Sequence, residues 1–417
     1  MKRVLFKAVV RMKLKVLGLL QIVAAYAVVS WVFRGTRLRV DRSAIKGLKP
    51  PFIVLGNHTS NLDPALVQYA IGHYPCYFLT SNFYFRNRAM GKILNLFGAI
   101  PKIQFSPDIR STRSALATIA RGDIVGIFPE GRRSIDGSCC PIPDSTARFI
   151  KKMKVPVVSV KTNGGYLFWP RWSSFWRSGH VETVVMQLLT TDVICNMDIK
   201  EIHSIVCQTL VYNDYAWNGD AKVTYYHQKS AEKLHLILHQ CPRCLSEQRM
   251  RGKGNRLYCM TCGNTALLDE YGFLQPLDKE CVVYNDPVKW NAWQRQNVLT
   301  LLQDDAFQMQ AKVKELRVAD RYCGSYRSCG RGRIVLRKEG LDFYGQVDRQ
   351  TTKLFFPITM IPTISTEFQY DFEVCDDKNA WWIFLEEEQQ TIRFESAISI
   401  LYQLTFQLKP IKLVESV

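Results

Sequence analysis

Apolar and polar residues fall into blocks along this chain, and the period of each block predicts its element. Residues 16–33 form an uncharged run of eighteen. Phe52-Ile53-Val54-Leu55 is a short apolar run closed by Gly56-Asn57, the mark of a buried strand. Ile124-Val125-Gly126-Ile127-Phe128 repeats that pattern and exits through Pro129-Glu130-Gly131-Arg132-Arg133-Ser134. Residues 155–160 read as another strand, and Ile199–Leu210 as a helix that closes this half near Tyr212-Asn213-Asp214-Tyr215. From Asp286-Pro287, a cap followed by proline, the spacing of Trp290, Trp293, Leu301 and Leu302 predicts a helix carried to about Asp320. Residues 334–336, 341–344, 354–356, 381–385 and 391–394 then read as short strands at hairpin spacing. A helix follows, with Ala397, Ile398, Ile400, Leu401 and Leu404 on one face.

Two of the predicted strands end in loops with chemistry. His58 opens His58-Thr59-Ser60-Asn61-Leu62-Asp63 at the carboxyl end of one strand, where open α/β sheets place their ligands. A loop this short can fold Asp63 onto the imidazole, fixing its tautomer and raising its basicity. Asp63 before Pro64 is also an ordinary helix start, and a histidine after a strand is often only a hydrogen-bonded loop residue. The second loop offers Glu130 as an acceptor for hydroxyls, Gly131 for close backbone approach, and Arg132 and Arg133 as forks for phosphate oxygens.

The order of a His-four-residues-Asp block, a Phe-Pro-Glu-Gly block and a following Val155-Pro156-Val157-Val158 block resembles the glycerolipid acyltransferases, the group containing 1-acylglycerol-3-phosphate acyltransferase. The resemblance covers about residues 15–215. It implies an α/β acyltransferase domain in which His58 is the general base and Asp63 orients it. It further implies that Glu130 and Gly131 bind the acceptor and that Arg133 holds its phosphate. Two departures stand out: Ser159 occupies a position usually held by proline, and Gln104 one usually held by a phosphate-contacting arginine. Lys102 lies two residues away and can supply the charge, and Arg110 or Arg113 can reach in from the next helix. The implied reaction moves a fatty acyl group from acyl-CoA or acyl carrier protein to lysophosphatidate in one step. Glycerol 3-phosphate, another lysophospholipid or a glycolipid are alternative acceptors. A rival mechanism would use Cys139 or Cys140 as a nucleophile. A non-catalytic membrane adaptor built on the same fold is the competing class.

Charge sharpens the expectation about partners. The net charge is +18, and residues 1–49 hold twelve Lys or Arg against Asp41 alone. Eighteen uncharged residues are marginal for a bilayer span, and Trp31-Val32-Phe33-Arg34 makes a poor signal-peptide cleavage site. A hydrophobic hairpin or interfacial helix on the cytoplasmic face of the membrane is therefore expected, with basic residues against anionic lipid. Nucleic acid is not expected, since it would have no use for the apolar run between the charges. Tyr166, Phe168, Trp169, Trp172, Phe175 and Trp176 form an aromatic cluster that fits an interface belt, an acyl-pocket wall or core.

Thirteen cysteines include two Cys-x-x-Cys pairs, Cys241 with Cys244 and Cys259 with Cys262. That spacing predicts a closed four-thiolate site for a structural Zn2+. The segment resembles a zinc ribbon, with His235 and His239 as ordinary neighbours. The last strands and helix resemble the pleckstrin-homology or GRAM class. The expected organisation is a membrane-associating segment 1–48, an acyltransferase domain 49–216, a zinc-ribbon-like module 236–276, a helical linker 284–320 and a β-rich domain 330–410.

Overall fold

The computed structural model describes residues 2–34, 37–367 and 371–408, with side chains from residue 16 onward. It divides into two compact units. The first comprises residues 1–102, 107–170 and 178–223; the second comprises 103–106, 171–177 and 224–417.

The first unit is a seven-stranded sheet with helices on both faces. Its strands are β1 (Arg37–Asp41), β2 (Ile53–Gly56), β3 (Cys76–Ser81), β4 (Ile100–Lys102), β5 (Ile124–Ile127), β6 (Val157–Asn163) and β7 (His180–Leu189). Their order is β1-β7-β6-β2-β5-β3-β4, parallel except where β6 meets β7. The helices are α1 (Lys2–Val32), α2 (Asp63–Ile71), α3 (Asn82–Phe85), α4 (Arg88–Leu96), α5 (Ile109–Ala120), α6 (Ser145–Met153), α7 (Gly165–Phe168), α8 (Thr191–Asn196), α9 (Ile199–Leu210) and α10 (Asp214–Ala221). Strand β2 is central and wholly buried. Successive side chains there point to opposite faces: Ile53 and Leu55 join the core with α5, α6 and α9, whereas Phe52 and Val54 join the core with α2.

The expected membrane segment 1–48 does not stand apart. Strand β1 is an edge strand of this sheet, paired with β7. Helix α1 is one unbroken helix, so the hairpin expectation fails. It packs on α2 through Tyr26 against Tyr69 at 4.6 Å, and Gln21 reaches Gln68 at 3.3 Å and the Cys76 carbonyl. Among the described residues no helix is long and apolar enough to cross a membrane. Of the aromatic cluster, Tyr166 and Phe168 are buried in the first unit and Trp172 in the second, whereas Trp169, Phe175 and Trp176 are half-buried.

The second unit holds a four-stranded antiparallel sheet of β8 (Met250–Lys253), β9 (Arg256–Cys259), β10 (Thr265–Leu268) and β11 (Leu274–Pro276). Helix α11 (Pro287–Leu301) follows. Next comes a six-stranded antiparallel sheet of β12 (Met309–Asp320), β13 (Arg327–Arg337), β14 (Gly340–Val347), β15 (Gln350–Pro357), β16 (Asp371–Cys375) and β17 (Asn379–Leu385), in the order β15-β14-β13-β12-β17-β16. Helix α12 (Gln390–Thr405) packs on its inner face.

Two boundaries expected here are corrected. The helical linker 284–320 is helix only to Leu301; residues 309–320 form β12, whose Met309, Ala311 and Val313 are buried while Gln310, Lys312 and Lys314 are exposed. That is a period of 2, which the preceding helical spacing masked. The β-rich domain thus begins near 309 and not at 330, and residues 409–410 lie outside the described residues. The strand expected at 391–394 is instead the first turn of α12, because Ile392, Phe394 and Ile398 are core residues of a helix.

Candidate active site

Adjacent parallel strands β2 and β5 deliver their exit loops to the same edge of the sheet. His58 follows β2, and Glu130 to Arg133 follow β5. His58 Nδ1 lies 2.8 Å from Asp63 Oδ2. The Asp63 carboxylate is buried and is held by four further donors: Thr59 N at 2.6 Å, Ser60 N at 2.8 Å, Thr59 Oγ1 at 2.9 Å and Ser60 Oγ at 3.1 Å. The loop wraps its own carboxylate, and the carboxylate fixes the imidazole. Since Nδ1 is committed to Asp63, basic chemistry falls to Nε2. The imidazole side chain is 19% exposed and stacks on Phe128 at 4.3 Å.

Glu130 does something the sequence did not suggest. Its Oε1 accepts from the His58 backbone N–H at 2.8 Å, and its Oε2 from Cys140 N–H at 2.8 Å. Tyr212 Oη lies 3.3 Å from both Oε2 and the His58 carbonyl, which also accepts from Ser134 N–H at 2.8 Å. The side chain expected to receive an acceptor hydroxyl thus turns inward and ties the two loops together. Burial pushes its carboxyl up to about 8. Gly131 has φ +70°, a conformation that favours glycine.

Arg133 bonds Asn61 Oδ1 in the middle of the His58 loop and reaches Tyr84 Oη at 3.3 Å. Arg132 lies beside Cys140. Lys102 ends edge strand β4, two strands from β5 on the same carboxyl edge, and burial lowers its pKa. The thiol rival fares poorly. Burial drives the Cys139 thiol far upward and Cys140 up to about 12, the opposite of an activated nucleophile.

Several contributors were not legible in sequence. Tyr212 lies 154 residues from His58 and no local pattern marks it. Buried Asp214 accepts from Tyr166 N–H at 2.8 Å at the start of α7, where a Cβ on Gly165 would lie 2.3 Å from Thr59 Oγ1. Asn57 brackets Thr162 with two bonds of 2.8 Å, locking the β2 exit to β6. The Asx and Ser/Thr character of the His58 loop was the one available signal for its self-wrapping.

In the second unit the four paired cysteines converge. Cys241 Sγ lies 3.7 Å from Cys262 Sγ, and Cys244 Sγ 3.8 Å from Cys259 Sγ, with all four within 4.8 Å of one another. A tetrahedron of thiolates around Zn2+ at ~2.3 Å sets sulfurs ~3.8 Å apart, so the donor set fits. His235 instead pairs with Glu388 at 3.0 Å.

Residues 36–162 match the acyltransferase family model, a span that runs from β1 into β6 and includes both loops. The chain therefore carries an acyltransferase domain. A 1-acyl-sn-glycerol-3-phosphate acyltransferase of Bacillus subtilis (strain 168) is 24% identical over 113 residues, 27% of this chain and 56% of the relative. The match thus spans about half the length of that relative. The crystal structure of the 1-acyl-sn-glycerophosphate acyltransferase PlsC from Thermotoga maritima is similar over 47% of this chain and 77% of its own, with 20% identity and a TM-score of 0.38.

Proposed function

We propose that the first unit transfers a fatty acyl group from an acyl thioester to the free hydroxyl of lysophosphatidate. The observation that carries this reading is the Asp63–His58 pair, preset at 2.8 Å on the carboxyl edge of a parallel sheet with the buried carboxylate fully hydrogen-bonded. His58 Nε2 takes the hydroxyl proton as the acceptor oxygen attacks the thioester carbonyl. The C–S bond breaks, and the departing thiolate recovers the proton from the imidazolium. Asp63 stabilises that imidazolium, and Glu130 acts by fixing the backbone on both sides of His58. Arg133, with Arg132 and Lys102, supplies cationic groups for the acceptor phosphate. Either CoA or acyl carrier protein can carry the donor in this scheme.

The reading includes a membrane site of action. On α1, Gly18, Gln21, Ala25 and Val29 face the domain, while Val16, Leu19, Leu20, Val23 and Trp31 stay exposed. An exposed apolar stripe suits an interfacial helix at the cytoplasmic leaflet, where the thioesters and lipid acceptors meet. One Zn2+ is assigned to Cys241, Cys244, Cys259 and Cys262; its closed shell serves structure and takes no part in the transfer.

The adaptor reading draws on Gln104, which stands where the resemblance calls for arginine. One experiment separates the two. Purified protein in lipid vesicles is offered acyl-CoA and acyl carrier protein thioesters against lysophosphatidate and glycerol 3-phosphate, beside His58→Ala. Product is expected with the unmutated protein, falling by roughly 10²–10⁴-fold in the variant while fold and zinc content persist. Equal activity of the variant removes His58 as base, and no product with any pair points first to another acceptor and then to the adaptor.

A further inference from the structure

Among the described residues, the two faces of the large sheet of the second unit differ along β12 to β15. Its inner face packs under α12, with Val313, Ile334, Phe343 and Phe356 in the core. The opposite face of β12 to β15 carries a cross-strand row set by register: Lys312 opposite Arg333, Arg333 opposite Tyr344, and Tyr344 opposite Lys353. Arg333 and Lys353 both sit 5.3 Å from the Tyr344 ring centroid. Lys314 and Arg331 flank the row on the same face, both exposed, and Arg337 stands at its corner. Side chains of Lys312 and Lys353 are 81% and 59% exposed.

Among the described residues, the acids on this face include Asp342, shared between Arg337 at 2.7 Å and Lys353 at 3.2 Å, and Glu386, 3.5 Å from Lys312. Glu315, beyond the β12 bulge, is taken by Arg317 at 2.8 Å. The next row places Val335, Asp342 and Phe355 side by side, and Phe355 is 49% exposed. A one-sided cationic excess with an exposed aromatic at its margin complements a surface that is anionic at the headgroup and apolar just beneath.

We infer that this open sheet face is a docking surface for anionic phospholipid bilayers, a second membrane contact separate from α1. Lipid is favoured over nucleic acid because the same chain exposes the apolar stripe of α1, which nucleic acid would leave wet. The contact acts through charge, so it weakens as salt rises. The inference does not depend on acyl transfer: its readout is binding, and a protein without turnover would still show it.

The test compares the unmutated protein with the triple variant Lys312→Gln/Arg333→Gln/Lys353→Gln, and with a control triple, Arg148→Gln/Lys152→Gln/Lys200→Gln, drawn from exposed positions of the first unit. Vesicles are phosphatidylcholine alone or mixed with phosphatidylglycerol, and zinc content and cooperative unfolding confirm folding. The sheet-face triple is expected to lose about tenfold or more in affinity for the anionic vesicles. It should keep its affinity for phosphatidylcholine, and the control triple should change by less than about twofold. Unchanged anionic-vesicle affinity overturns the inference, as does an equal loss in the control. Single-stranded RNA binding that is lost in the sheet-face triple while vesicle affinity is kept would overturn it in favour of a nucleic-acid face.

Discussion

Glu130 shows how one side chain changes meaning once its partners are known. In sequence it sits in an acceptor-binding loop; in space it holds the His58 N–H and the Cys140 N–H at 2.8 Å each. Burial raises its carboxyl from the ordinary value to about 8, and burial raises Asp214 to about 7. A carboxyl raised in the folded state binds a proton there that the unfolded chain has already released. Its contribution is complete below the unfolded value near 4.5 and is lost as pH rises through about 8. Stability should therefore fall across that window, by up to about 1.4 kcal/mol per pH unit from this group. Glu130→Gln should flatten the slope, as read by denaturant unfolding at a series of pH values. An unchanged slope would mean that Glu130 is already ionised in the fold. The same residue-level view explains what was legible: the His58–Asp63 pair is local, five residues apart, and the loop chemistry that holds it is written in Thr59 and Ser60.

At the scale of elements, period separated what was read correctly from what was not. Strands β2 and β5 are short apolar runs between turn residues, and they form where expected because both faces of each are buried. The helical spacing reads through into strand β12 because the turn at 302–308 contains neither proline nor glycine to mark a stop. Helix α1 also carries two patterns at once. Between residues 16 and 32 its packed stripe recurs at helical spacing, and most of the other positions there are apolar as well, so periodicity alone could not assign the faces. Leu19 and Trp31, 61% and 63% exposed, are the positions where this matters. Leu19→Ser with Trp31→Ser should leave thermal stability within about 1 kcal/mol, since both side chains are largely exposed. Vesicle affinity should fall by about tenfold or more, as measured by co-sedimentation. Undiminished binding would remove α1 as the interfacial element.

For the whole molecule, the four-cysteine cluster tests whether the second unit is organised as expected. Both Cys-x-x-Cys pairs are needed to close the site, and the β8 to β11 sheet lies around them. Purified protein should contain one zinc per chain, and Cys259→Ser should release it. Melting of the second unit should fall by roughly 10 °C, with new protease cuts near the cluster. A folded protein without metal would end the assignment.

What the sequence by itself determined is the local: the strand and loop identity around His58 and Glu130, the paired thiolates, and the reading as an acyltransferase domain. These follow from short-range rules, turn residues after apolar runs and ligands at fixed spacing, which any fold must obey. Tertiary structure alone decided that β1 belongs to the sheet, that Glu130 faces the protein, that Tyr212 and Asp214 buttress the His58 loop, and that six cations share one face of a β-meander. Each depends on strand order and register, quantities set by burying both faces of one sheet or one face of another. Many residues settle them together, and no short stretch of sequence records the result.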